Sequence, residues 1–319
     1  MLCNFDMSWS EILQHVQDAG WWFAAVLLLW IPIYTLNAWS WYLIVENGGK
    51  SKIGFWRLWK YTVSGYALNY ITPVGVMGGE PYRIVELTPY IGAERATSSV
   101  ILYSMMHIFS HFCFWSVSLV LLIFMYGTQM SITLWILSAL AALFCAIGIY
   151  FFAKGYQNGL AFKALRIFSH LPWVGKHIHR FTEKNEQSIH HIDLQIAELH
   201  KQRKSTFYAS LSLEFAARIL GCLELMFCLL LITDKVSFWD CVLMQAFTSL
   251  FANLIFFIPM QMGVREGGMA LFADFMKTGS AYGVLTSLLV RLREIVWIAI
   301  GLLLLKIANK KGEKEENVS

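Results

Sequence analysis

Charge is what this chain has least of. Only 14% of its 319 residues are Asp, Glu, Lys or Arg, against about a quarter in a soluble domain of similar size. So few charges cannot cover a water-facing surface, so most of the surface faces lipid. Cysteine is also scarce. The six thiols mostly lie inside apolar runs and form no CxxC pair, which argues against both a disulfide framework and a zinc site. There is no Walker motif for nucleotide and no HExxH for a metalloenzyme, and no cofactor is expected. The first 49 residues lack Lys and Arg altogether. Without a basic n-region, and with a first apolar run too long for an h-region, no cleavable signal peptide is expected.

What the chain has in quantity is apolar and aromatic. Hydrophobic residues make up 57%, and 13 Trp, 13 Tyr and 23 Phe gather near the ends of apolar runs, as membrane-interface belts do. Five runs have the roughly 20 residues needed to cross about 30 Å of hydrocarbon as helix. They are Gly20 to Val45, Ala96 to Tyr126, Ser131 to Ala153, Ser205 to Ile232 and Ala281 to Ile307. Two further apolar regions, 55–90 and 238–276, are broken, one at Thr72-Pro73-Val74-Gly75 and the other at Ile258-Pro259-Met260-Gln261-Met262-Gly263. Irregular backbone at membrane depth is tolerated only where protein or a water-filled cavity covers it. Both regions therefore read as re-entrant helical hairpins. The fold expected is an all-α integral membrane protein with five full transmembrane helices and two re-entrant hairpins.

Lys and Arg set the orientation. Lys50, Lys52, Arg57 and Lys60 follow the first run, nine basic residues lie in 154–204, and Lys306, Lys310, Lys311 and Lys314 end the chain. All three groups fall on one side, the cytoplasmic one, provided each broken region returns to the side it left. The N-terminus is then outside. Within 154–204, Ile189, Ile192, Ile196 and Leu199 form a narrow apolar stripe at helical spacing. This fits a basic amphipathic linker that lies on the membrane surface or takes up a partner.

The broken regions match each other. One begins Phe55-Trp56 and reaches Asn69, Pro73 and Glu80; the other begins Phe238-Trp239 and reaches Asn253, Pro259 and Glu266. Pro to Glu is seven residues in both, glycines surround both, and each has one arginine close to its glutamate, Arg83 or Arg265. Each region lies between two long runs, and the orientation makes the two units opposite in polarity. Residues 1–153 thus hold one unit plus a connecting span, 154–204 the linker, and 205–319 the inverted second unit and tail. Inverted repeats with broken helices are common in transporters, with the substrate site at the repeat interface.

Ionisable groups inside apolar runs are expensive and usually face an interior or a cavity. Glu80, Arg83, Arg265 and Glu266 lie at the breaks, Glu214, Arg218 and Glu224 in the fourth long run, and Arg291, Arg293 and Glu294 in the fifth. One reading is a polar path for a lipid headgroup. Arg83 and Arg265 offer phosphate a planar donor fork, Glu80 and Glu266 pair with them or with the substrate, and Asn69, Pro73, Asn253 and Pro259 shape the breaks. Glu214, Arg218 and Arg291 extend the path. The bland reading is mutual neutralisation: Glu80 with Arg83, Arg265 with Glu266, and Glu214 with Arg218 at i, i+4. His107 and His111, also at i, i+4, read as interior polar packing, because no third metal ligand is close in sequence.

At the breaks the chain resembles a known family. Asn69-Tyr70-Ile71-Thr72-Pro73 leading into Gly79-Glu80-Pro81-Tyr82-Arg83, and Pro259-Met260-Gln261-Met262-Gly263-Val264-Arg265-Glu266-Gly267-Gly268, are similar to motifs of the flippase-like membrane region of lysylphosphatidylglycerol synthases, which also exists as stand-alone proteins. The resemblance covers nearly the whole chain, including Asp6 to Ser10. It implies a bacterial cytoplasmic-membrane protein that moves phospholipids or lipid-linked intermediates between leaflets. Two departures stand out. Family members often carry one more N-terminal span. The synthases also carry a soluble aminoacyl-transfer domain after the spans, so aminoacyl transfer is not expected here. The alternatives are a non-catalytic partner of a lipid-modifying enzyme or glycosyltransferase, or an intramembrane enzyme using Glu80 or Glu266 as acid or base. A homo-oligomer is compatible with all of these readings.

Overall fold

The computed structural model describes residues 20–72, 78–155, 204–231, 236–255, 261–276 and 279–316. Pro73, Pro259, the first residues of the chain and the stripe around Ile189 to Leu199 lie outside them. Every regular element among the described residues is helical. The nine α-helices are α1 (Gly20–Asn47), α2 (Phe55–Ile71), α3 (Gly79–Ile91), α4 (Ala93–Tyr126), α5 (Ile132–Gly155), α6 (Lys204–Leu230), α7 (Phe238–Leu254), α8 (Val264–Phe275) and α9 (Ser280–Glu316). A 3-10 turn, Gly127–Gln129, follows α4.

The long apolar runs become the long helices because hydrocarbon offers no partner to a bare N–H or C=O, and a helix satisfies both internally. Pro32 sits inside α1, and Thr35 Oγ1 donates to Ile31 O at 2.7 Å just beyond it. Among the described residues, three stretches are long and apolar enough to cross a membrane: Trp21–Asn47, Ala93–Gln129 and Ile132–Phe152. They mark a multi-pass membrane protein. Helices α6 and α9 are as long but carry charge within the apolar stretch. Those charges turn inward: Glu214, Glu224, Arg293 and Glu294 are all buried. The outside is the apolar face, with Leu137, Leu140, Leu143 and Ile147 of α5 all more than half exposed. A water-soluble bundle has the opposite distribution.

Each broken region forms a packed helix pair, α2 with α3 and α7 with α8. The first pair closes on glycine. A Cβ on Gly79 would lie 2.2 Å from Gly65 O, and Gly79 N donates to Asn69 Oδ1 at 2.7 Å. Gly65 in turn leaves room for Arg83, whose Nε would lie 2.5 Å from a Cβ there. In the second pair a Cβ on Gly268 would meet Thr248 at an ordinary 3.4 Å. Gly79→Ala is therefore expected to destabilise the folded protein by about 1–3 kcal/mol, the usual range for overpacking. Gly268→Ala should do so much less. Thermal unfolding of both variants in detergent checks the contrast.

The helix contacts repeat. Helix α1 packs on α2 and α4, as α6 does on α7 and α9; α3 packs on α4, as α8 does on α9. Crosswise, α2 meets α9 and α4 meets α7, while α1 and α6 pack on each other. At that last crossing Ser40 Oγ and Ser210 Oγ share a hydrogen bond of 2.6 Å. The small side chains let the two backbones approach closely, as membrane helix pairs favour.

Candidate functional site

The buried charges form two clusters. The first is built on α2, α3, α4 and α6. Arg83 is 2% exposed. Its Nη1 lies 3.4 Å from Glu80 Oε1, and its Nη2 donates to Thr62 O at 3.3 Å. The guanidinium carbon lies 5.0 Å from the Tyr66 ring centre, 5.3 Å from that of Tyr103 and 5.8 Å from that of Trp41. Aromatic faces at such distances stabilise a cation. Asn69 Nδ2 donates to Glu80 Oε1 at 3.2 Å, so one Asn joins the N-terminus of α3 to its glutamate. Beyond Arg83, the Tyr66 hydroxyl is 3.3 Å from that of Tyr103 and 3.5 Å from His107 Nδ1. His107 Nδ1 is 2.8 Å from Glu214 Oε2. Arg218 donates to Ser110 Oγ at 2.7 Å, to His111 Nε2 at 2.8 Å and to His107 O.

The second cluster lies among α6, α8 and α9, with α2 reaching in. Arg293 clasps Glu224 through Nε at 2.6 Å and Nη2 at 3.0 Å, a bidentate fork. The Arg293 guanidinium carbon sits 3.7 Å from the Trp30 ring centre. Glu294 is the hub. It pairs with Arg265, accepts from Arg291 Nη1 at 3.0 Å and accepts from the Tyr70 hydroxyl at 3.1 Å. Arg291 Nε also donates to Glu266 Oε1 at 3.0 Å. The other Glu266 oxygen accepts from Gly263 N at 2.7 Å, capping α8. Gly263 itself has φ +82, a left-handed conformation that glycine adopts without strain.

The two clusters differ in completeness. In the second, three guanidinium groups face three carboxylates, and no oxygen of those carboxylates is both buried and without a partner. In the first, Glu80 Oε2, Glu214 Oε1, Arg83 Nε and His111 Nδ1 are buried with no partner among the described residues. Helix α2 links the clusters. Tyr66 and Tyr70 are one turn apart, one facing His107 and the other Glu294.

Several residues picked from the sequence come together, though not always with the partners that spacing offers. Glu80 pairs with Arg83, but Arg265 pairs with Glu294 rather than Glu266, and Glu266 takes Arg291. Glu214 and Arg218 form no ion pair with each other; each turns to a histidine on α4. Asn253 donates to Ser249 O within its own helix. Pro73 and Pro259 lie outside the described residues. Among those residues no His, Cys, Asp and Glu side chains group in threes to hold a metal ion. Sequence reading named Glu294 only as a charge in the fifth run, outside the headgroup path, and did not single out Tyr70. A charge three residues after Arg291 in an apolar helix was the available signal for Glu294. Tyr70 gave none.

Searches among curated proteins and among solved structures found no match. The model of one family, described as the lysylphosphatidylglycerol synthase TM region, matches residues 4–301, and with nearly its whole length covered this chain belongs to that family.

Proposed function

We propose that the protein moves phospholipids, or lipid-linked intermediates, between the leaflets of a bacterial cytoplasmic membrane, passing the headgroup between two re-entrant helix pairs. The observation that carries this reading is the convergence at Glu294. Tyr70 from the first pair and Arg265 from the second bind the same carboxylate, so both breaks address one polar point inside an apolar body. Arg265 and Arg291 are 24% and 15% exposed while Glu294 is 2%. The guanidinium groups thus lie on the accessible side of the carboxylate they share. A phosphate arriving there meets two donor forks already assembled, with Glu294 as the resident anion it displaces.

The proposed topology is five full spans and two hairpins in an inverted repeat, with the N-terminus outside and residues 154–204 and the C-terminus cytoplasmic. Helix lengths support it. Helices α2, α3, α7 and α8 have 17, 13, 17 and 12 residues. At 1.5 Å per residue that is roughly 18–26 Å, short of a hydrocarbon core of about 30 Å. The matched contacts of the two units support it as well. So does the family, which is membrane-embedded and lipid-related by its description.

Vesicles reconstituted with the purified chain, containing phospholipid with a fluorescent headgroup, test the reading. Dithionite added outside should quench the inner-leaflet label much faster than in protein-free vesicles, without added nucleotide. Equal rates in both would overturn it. Tyr70→Phe removes one donor from Glu294 and keeps the ring. The loss is about 1 kcal/mol for an interhelical hydrogen bond in a membrane, so translocation should slow about fivefold.

A further inference from the structure

We propose that His107 and Glu214 form a proton-binding site, and that its occupancy decides where the Arg218 side chain is held. The site belongs to neither hairpin. It lies where α4 of the first unit meets α6 of the second. Glu214 is 1% exposed. Its Oε2 faces His107 Nδ1 at 2.8 Å, and its Oε1 has no partner among the described residues. A carboxylate accepts only, so His107 Nδ1 is the donor. The outer nitrogen, Nε2, is left without a partner among the described residues, and a third of the His107 side chain is exposed. A proton delivered by hydronium to the Nε2 lone pair leaves water behind and creates an imidazolium against the carboxylate. The buried anion then has a cation in contact with it.

Without that proton, Glu214 is a buried carboxylate with one neutral donor, a costly state. The nearest remedy is Arg218, four residues on along the same helix and within reach by helical spacing. Arg218 is instead held by Ser110 Oγ, His111 Nε2 and His107 O of α4. Because arginine only donates, His111 Nε2 must accept, so His111 is neutral in this arrangement. The structure thus has the loaded pattern. Proton loss at His107 draws Arg218 to Glu214 and breaks its three bonds to α4. The event is local, but it changes the seam between the two units.

The neighbours limit the assignment to this pair. From α2 comes Tyr66, 3.5 Å from His107 Nδ1. From α3 come Arg83, which faces the Tyr66 and Tyr103 rings, and Glu80, which pairs with Arg83. Helix α4 itself adds Tyr103, His111 and Cys113, and α6 adds Arg218 and Cys222. Helix α1 brings Trp41 against Tyr103, Tyr34 against Tyr66 and Ser40 against Ser210, and α5 brings Phe152 against Phe109. Helix α7 meets α4 further along, with Ser249 at Trp115 and Asp240 at Tyr126. Helix α9 meets α6 further along too, with Arg293 at Glu224. Arg83 and Glu80 offset each other, which leaves His107 as the group whose charge can change beside Glu214.

The test reads the site first, without transport. In the lipid-reconstituted full chain with 15N-labelled histidine, the His107 ring signal is the one missing from His107→Gln. It should pass from neutral to doubly protonated as the pH is lowered. Glu214→Gln should make that change require more acid. A ring that stays in one state throughout, or a midpoint unmoved by Glu214→Gln, overturns the site. A second arm rests on the translocation reading. An imposed pH gradient should change the wild-type lipid rate about fivefold or more, and His107→Gln should bring that ratio to one. A titrating ring with a gradient-insensitive wild-type rate overturns the coupling. No lipid movement under any condition overturns the translocation reading instead, and the ring titration still decides the site.

Discussion

Arg265→Ala is expected to bring lipid translocation toward the background of protein-free vesicles, a fall of about 25-fold or more. The guanidinium pairs with Glu294 and is 24% exposed, so it serves both the resident carboxylate and an arriving phosphate. Truncating one partner of a buried charged pair costs about 2–5 kcal/mol, and at 1.4 kcal/mol per decade that exceeds tenfold even at the low end. Arg265→Lys should fall between. It restores the charge but not the planar two-point fork. Gel filtration of each variant, with the dithionite assay beside it, separates a lost site from a lost fold. A well-folded Arg265→Ala protein that moves lipid at the wild-type rate would remove this residue from the path.

The largest effect on stability is expected at the pair beneath the site. Glu224→Ala leaves Arg293, 2% exposed, with its main partner gone. Breaking a buried ion pair from one side costs about 3–5 kcal/mol. Glu294 lies 4.0 Å from Arg293 Nη2 and already serves Arg265, Arg291 and Tyr70, so it is a poor substitute. The double variant Glu224→Leu, Arg293→Met should recover most of the loss, because it removes both charges and keeps the volume. Unfolding of the single and double variants in mixed micelles reads the difference. Equal losses in both would mean that packing, not charge, holds α6 to α9.

What could be read from the sequence, and what could not, divides by distance along the chain. The five long runs become α1, α4, α5, α6 and α9, because hydropathy is local and a membrane allows few alternatives to helix. The breaks also fall where expected: α2 ends at Ile71 just before Thr72-Pro73, and α8 begins at Val264 just after Gly263. Pairs at helical spacing, Glu80 with Arg83 and Arg291 with Glu294, were within reach of pattern reading. The same rule misled at Glu214 and Arg218. Helix α4 faces them with His107 and His111 at the same spacing, and the two sets join across the seam instead of along the helix. Glu224 with Arg293, and Tyr70 with Glu294, bridge helices far apart in the chain. No single-sequence period reports such partners.

The clasp between Glu224 and Arg293 also bears on how the protein is made. The two residues are 69 apart in the chain. At a synthesis rate of about 5–20 residues per second, roughly 3–14 s pass before the arginine follows the glutamate out of the ribosome. In the proposed topology α6 enters the membrane first, holding an acidic group whose partner has not yet been translated. Its stable insertion waits for α9. That helix thus acts as the piece that closes the clasp during assembly, and a chain truncated before Arg293 should be retained by the insertion machinery and degraded rather than accumulate as a partial fold.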